Sequence, residues 1–143
     1  MDAPVSVAVD LVNEKVRFSG RSRDLPPVSA DYFPPLGDAQ GYTGLELLLL
    51  SLAACSATAI VPMLRRMNRV VTGFHVNASG VRRTQHPTSF ERIDIEFVLA
   101  SPDAAVPDLE NAVRLSEESF CPVWAMLKGS TEIVPTLKVV VGK

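Results

Sequence analysis

Residues 43–66 read TGLELLLLSLAACSATAIVPMLRR, and the reading of this stretch decides how the rest of the chain must be arranged. Thr43 and, three residues on, Glu46 make the pattern of a capping box, in which each side chain bonds the other's backbone N–H, so a helix begins here. Apolar residues then fall on every face, the composition of a helix buried on all sides at the centre of a fold. The run approaches the roughly 20 apolar residues that cross a bilayer. Glu46 at one end, and Ser51, Ser56, Thr58 and Pro62 within it, argue instead for a core helix. The pattern predicts a helix to about Asn68, kinked at Pro62, with Arg65, Arg66 and Arg69 at the negative end of its dipole. Small residues before Cys55 imitate a lipoprotein signal. They lie more than forty residues into the chain with no basic stretch just ahead, and the apolar pattern continues past the cysteine.

On the N-terminal side, Val5–Val12 alternates loosely, "NEK" offers a tight turn and "VRFSG" returns, which predicts a hairpin. From Arg21 to Tyr42 the composition shifts to Pro26, Pro27, Pro34, Pro35, Gly37 and Gly41, a loop with one short extended piece at Val28–Ala30. Loops of that length in a compact domain often lie over functional sites. On the C-terminal side, "VVTGFHVNASGVRR" and "FERIDIEFVLA" read as strands separated by a turn at "HPTS". Ile93, Ile95 and Phe97 alternate with Asp94 and Glu96. "VPDLENAVRLSEESF" reads as one amphipathic helix, Cys121 and Pro122 open a short helix to about Lys128, and "EIVPTLKVVVG" closes the chain as a strand. That order describes one α+β domain over residues 1–143, a mainly antiparallel sheet curled around a long buried helix.

With 143 residues, 47% of them hydrophobic, and a net charge of −2, the chain has an ordinary globular composition that needs no disulfide scaffold. The arginine pairs Arg65/Arg66 and Arg82/Arg83 have no aromatic residues interleaved, and we read them as solvated faces; no nucleic-acid partner is expected. His75 and His86 are far apart in sequence and no Cys-x-x-Cys exists, so neither a metal nor another cofactor is expected. "MDAPVSVAVD" carries no secretory pattern, so a soluble, cytoplasmic, reducing setting is the expectation, with no membrane partner.

Chemistry then rests on two cysteines. Cys121 precedes a proline at the mouth of a helix, where free amides and the positive end of the dipole favour a thiolate. A small buried residue that merely ends the preceding helix fits the same position, so both readings stand. Cys55 lies in apolar company, which raises a thiol's pKa unless a cation reaches it. Arg17, Arg21 and Arg23, on the strand and loop before the helix, are the candidate cations. Glu46 is nine residues from Cys55, about half a turn round the helix, and therefore points away from it.

"GLELLLLSLAACSA" followed by "AVRLSEESFCPVWAML" resembles the OsmC/Ohr family of osmotically induced and organic-hydroperoxide-resistance proteins, over essentially the whole chain. The resemblance implies an intertwined homodimer with its site at the subunit interface. It also implies a thiol peroxidase acting on small organic hydroperoxides. Cys55 would be the peroxidatic residue and Cys121 the resolving one, with a dithiol as reductant. An arginine from the Arg21/Arg23 region would hold the thiolate, supported in the family by a glutamate at the helix start. Aligned on "AAC", that glutamate position falls on Leu45. The loss of that carboxylate and the apolar setting of Cys55 motivate an alternative, a stress protein that binds an apolar ligand without turnover. A structural dimer with vestigial thiols is the third reading.

Overall fold

The computed structural model describes residues 3–142, arranged as two compact units that divide between Leu48 and Leu49, with the long helix beginning in the first and continuing into the second. In the first unit, β1 (Ala8–Leu11), β2 (Phe18–Arg21) and β3 (Val28–Ala30) form an antiparallel sheet in that order, Leu11 facing Phe18 and Phe18 facing Ala30. The expected hairpin is present. Asn13 makes its turn, its side-chain oxygen accepting the N–H groups of Lys15 and Arg17, each at 3.0 Å.

The proline-rich segment after β3 is ordered by one carboxylate. Asp31 is buried and accepts the backbone N–H groups of Tyr32 at 2.8 Å, Gln40 at 3.0 Å and Asp38 at 3.3 Å. Burial alone would raise its pKa; those three N–H groups and the charge of Arg17 outweigh it and hold the carboxyl below its ordinary value. Gly37 is required beneath it, because a Cβ there would lie 2.3 Å from the Tyr32 carbonyl oxygen and 2.4 Å from Asp31 Oδ1.

Helix α1 (Gly44–Arg66) starts where the capping box placed it. Thr43 N–H donates to Glu46 Oε1 at 2.8 Å and Glu46 N–H donates to Thr43 Oγ1 at 3.2 Å. It runs through Pro62 as one helix and ends two residues short of Asn68. The structure departs from the sequence expectation on burial. Only one stripe, Leu52, Ser56, Ile60, Met63 and Leu64, is fully covered, and Leu50 is 50% exposed. By length and composition this helix would suffice to cross a membrane, and 28% of its most apolar window is buried within the chain.

The second unit holds β4 (Gly73–Arg82), β5 (Phe90–Ser101) and β6 (Glu132–Val141) as one sheet with β5 in the middle. Ile93, Ile95, Phe97 and Leu99 alternate inward from β5 and are buried, as their spacing requires. Phe97 is sandwiched between Phe74, at a ring-centroid distance of 6.1 Å, and Trp124, at 6.4 Å with planes 11° apart. β4 is antiparallel to β5, but β6 runs parallel to it, from Arg92 opposite Glu132 to Ser101 opposite Val141. The sheet is therefore mixed rather than mainly antiparallel. The helical crossover between β5 and β6 supplies the length that a parallel pair needs. That crossover is α2 (Val106–Leu115), a π-helical turn (Ser116–Phe120) and α3 (Pro122–Leu127). The single amphipathic helix read from the sequence thus stops at Leu115. The Cys121 N–H reaches back five residues to the Ser116 carbonyl at 2.9 Å, widening the last turn.

Candidate functional site

Cys55 and Cys121, 66 residues apart in sequence, meet in the second unit as free thiols. Cys121 is the N-cap of α3, with an extended backbone (φ −99°, ψ 103°), and its sulfur accepts the Trp124 N–H at 3.4 Å. Pro122 at the first helical position has no N–H to leave unpaired there. The neighbouring Val123 N–H and the Cys121 thiol lie close enough to Cys55 to act on its ionisation. The first turn of α3 therefore sits against both cysteines.

The two thiols differ in exposure. Cys121 is 2% exposed, whereas Cys55 is half-buried. Burial pushes the Cys55 thiol above its ordinary value; the nearby Val123 N–H opposes this, and the neighbouring Cys121 thiol adds to it. That agrees with the direction expected from its apolar setting. Behind Cys121 lies Ser56, fully buried, with Oγ 3.6 Å from the Cys121 sulfur.

In front of Cys55 is an open cavity of about 280 Å³ lined by Thr58, Ala59, Pro62, Met63, Arg66, Phe120 and Pro122. From the sequence alone, Arg66 reads as a helix-end charge and part of a solvated arginine pair. Eleven residues separate it from Cys55, which at about 100° per residue brings it to within about 20° of the same face. Its Nε folds back toward the Pro62 carbonyl at 3.5 Å, at the rim of the cavity. The spacing was available in the sequence; what hid it was the expectation that the helix around Cys55 was covered on all sides.

The candidate arginines Arg21 and Arg23 belong to the first unit. Arg21 is exposed on β2 and pairs with Asp10 at 3.3 Å. Arg23 is exposed in the β2–β3 turn with a left-handed backbone (φ 54°). Arg17 faces the Asp31 carboxylate. Glu46 is occupied by the capping box, and Leu45 presents no carboxylate at the other helix-start position.

A family model described as OsmC-like protein matches residues 37–136. The chain belongs to the OsmC-like family. Protein YhfA of Escherichia coli K12 is 29% identical over 96 residues, which cover 67% of this chain and 72% of that protein. A hypothetical protein of Aquifex aeolicus VF5 superposes with a TM-score of 0.86 at 28% identity, covering 99% of both chains. An organic hydroperoxide resistance protein OsmC of Legionella pneumophila has the same fold at greater distance. Its TM-score is 0.73 at 13% identity, over 97% of this chain and 99% of that one. Among these OsmC-like folds, the α+β architecture with two sheets and a long helix is the shared feature.

Proposed function

We propose that this OsmC-like protein is a two-cysteine thiol peroxidase acting on organic hydroperoxides in oxidative-stress defence. The observation that carries the reading is the pairing of a half-buried thiol, lining a mostly apolar cavity, with a second, buried thiol close enough to act on its ionisation. The hydroperoxide-resistance name of the Legionella relative supports the substrate class. The Cys55 thiolate attacks the terminal peroxide oxygen, the O–O bond breaks, and the alcohol departs after taking a proton. Cys55 is left as a sulfenic acid, a reversible oxidation state. Cys121 sulfur then attacks Cys55 sulfur, forming the disulfide and releasing water. A dithiol reductant reopens the bond by exchange and leaves as its own disulfide. An arginine from the Arg21/Arg23 segment, or Arg66 at the cavity rim, supplies the cation that the cavity needs to hold a thiolate. The test is consumption of cumene hydroperoxide with a dithiol: wild type turns over, Cys55→Ser does not, and a wild type inactive with every dithiol refutes the reading.

A homodimer belongs to the same proposal. The uncovered stripe of α1 and the exposed apolar residues Val9 and Leu11 on β1, with Val7 just before it, are surfaces that a second copy would bury, in a soluble, cytoplasmic setting rather than in lipid. The second reading, an apolar-ligand binder without turnover, draws on Leu45 in place of a carboxylate. It also draws on an open apolar groove of about 300 Å³ beside β1 and β2, walled by Val7, Val9, Leu25, Val28 and Leu47. A fatty or aromatic molecule recovered by native mass spectrometry, with affinity unchanged when both cysteines are replaced, favours it.

A further inference from the structure

Ser56 is the one polar side chain in the buried stripe of α1, and its hydroxyl does not do what helical hydroxyls ordinarily do. Two residues on, Thr58 bonds the carbonyl four residues back, its Oγ1 donating to Ala54 O at 2.8 Å. Ser56 has instead a single side-chain partner, the Cys121 sulfur at 3.6 Å, with both residues at or below 2% exposure. A hydroxyl in so dry a place is costly unless its bond is made, and a bond to a charged acceptor is worth more than one to a neutral acceptor.

Exposure decides which sulfur leaves when the disulfide of the proposed cycle is reduced. An incoming thiolate reaches Cys55 and not Cys121. As it bonds to the Cys55 sulfur, the S–S bond breaks and its electron pair passes to Cys121. The second thiol of the reductant then displaces Cys55 sulfur, and the two protons of the dithiol finish on the two cysteines. Cys121 sulfur is thus where negative charge appears, and the Trp124 N–H and the Ser56 hydroxyl are the groups already turned toward it.

We propose that Ser56 is the positioning residue for Cys121, its hydroxyl holding that sulfur against Cys55 and donating to it as it departs from the disulfide. This rests on the two-cysteine reading above. In the reduced form the hydroxyl stabilises the pair; in the disulfide it does so less. Ser56 therefore sets how readily the oxidised protein is returned to work.

Ser116 provides the control. Its hydroxyl is also fully buried, beside the same segment, and has no hydrogen-bond partner, so Ser116→Ala makes the same chemical change without touching the sulfur's bond. The full-length protein is oxidised with diamide and equilibrated in dithiothreitol redox buffers, and its reduction rate is followed. Ser56→Ala is expected to shift the equilibrium about tenfold toward the disulfide, equivalent to about 30 mV. It is also expected to slow reduction several-fold, while Ser116→Ala and the hydroxyl-keeping Ser56→Thr stay within about twofold of wild type. A Ser56→Ala potential within twofold of wild type, or an equal shift in Ser116→Ala, overturns the inference alone. Should Ser56→Ala not fold, a tenfold shift in folded Ser56→Thr overturns it as well. A wild type that forms no Cys55–Cys121 disulfide overturns the inference and the two-cysteine mechanism together.

Discussion

Removing the indole of Trp124 tests whether the core of the second unit holds the thiol pair in place. The side chain is 1% exposed and stacks on Phe97, and its own backbone N–H donates to Cys121 sulfur at 3.4 Å. Truncating a buried aromatic residue costs about 3–5 kcal/mol, from lost transfer energy plus the cavity left behind. The stacking contact, about 0.5–1.5 kcal/mol beyond area, places Trp124→Ala in the upper part of that range. Trp124→Phe keeps one ring on Phe97 and is expected to lose about 1–2 kcal/mol, in proportion to the smaller missing volume. Urea unfolding of the reduced protein reads both numbers, provided the slope is unchanged. The same variants are then oxidised with diamide under conditions where each is folded. Trp124→Ala is expected to close the Cys55–Cys121 disulfide at least several-fold more slowly than wild type. A stability loss under about 1 kcal/mol, or disulfide closure at the wild-type rate, would refute the idea that the aromatic stack positions α3.

Because burial and Cys121 hold the Cys55 thiol above its ordinary value, its alkylation by iodoacetamide should rise about tenfold from pH 7 to 8, the slope of a group still protonated there; a plateau at neutral pH contradicts this. The depressed Asp31 carboxyl contributes stability that is fully present above the unfolded value, ordinarily 3.8, and is lost as pH falls through the lower folded one. Asp31→Asn should therefore flatten the acid limb of a pH–stability profile below about pH 4, and an unchanged acid limb would show that the loop does not depend on this charge. Gly80 faces Phe90 so closely that a Cβ would lie 2.3 Å from its Cε1, and Gly80→Ala should cost about 1–3 kcal/mol in thermal or urea unfolding by forcing that ring to move. A neutral result would mean that the ring relaxes freely.

Much of the fold is written in local pattern. The period-two alternation of Ile93, Ile95 and Phe97 and the reciprocal Thr43–Glu46 pair locate their elements without any knowledge of partners. What stayed hidden depends on relations between elements. The direction of β6 leaves no mark in its own residues, since a strand alternates in the same way beside a parallel or an antiparallel neighbour. An all-apolar α1 does not reveal which stripe its own chain covers, so Ser56 read as an interruption of a membrane span and Arg66 as a capping charge. The amphipathic spacing of α2 continues smoothly into "SEESF", and only the backbone shows the change of winding there. The two cysteines were legible as candidates from their surroundings. Their meeting required the crossover to bring α3 back against α1.

The π-helical turn before Cys121 also carries a consequence for insertions and deletions. Five residues, Ser116–Phe120, fill a turn that an α-helix would close with one fewer. Deleting a single residue from it would let the segment close as an ordinary α-turn, four residues spanning what five span now, and leave Cys121 and α3 nearly where they are. The same deletion within α2, already wound as an α-helix, would draw Cys121 back by about 1.5 Å and about 100° round the axis, enough to take its sulfur off the line to Cys55 with both cysteine motifs intact. Glu117 and Glu118 lie outside the buried set of this turn, so their identities are free to vary. Their number is free by one as well, so among homologous chains a one-residue gap at this point would leave the pair in place, whereas one within Val106–Leu115 would separate proteins able to close the bond from those that only resemble them.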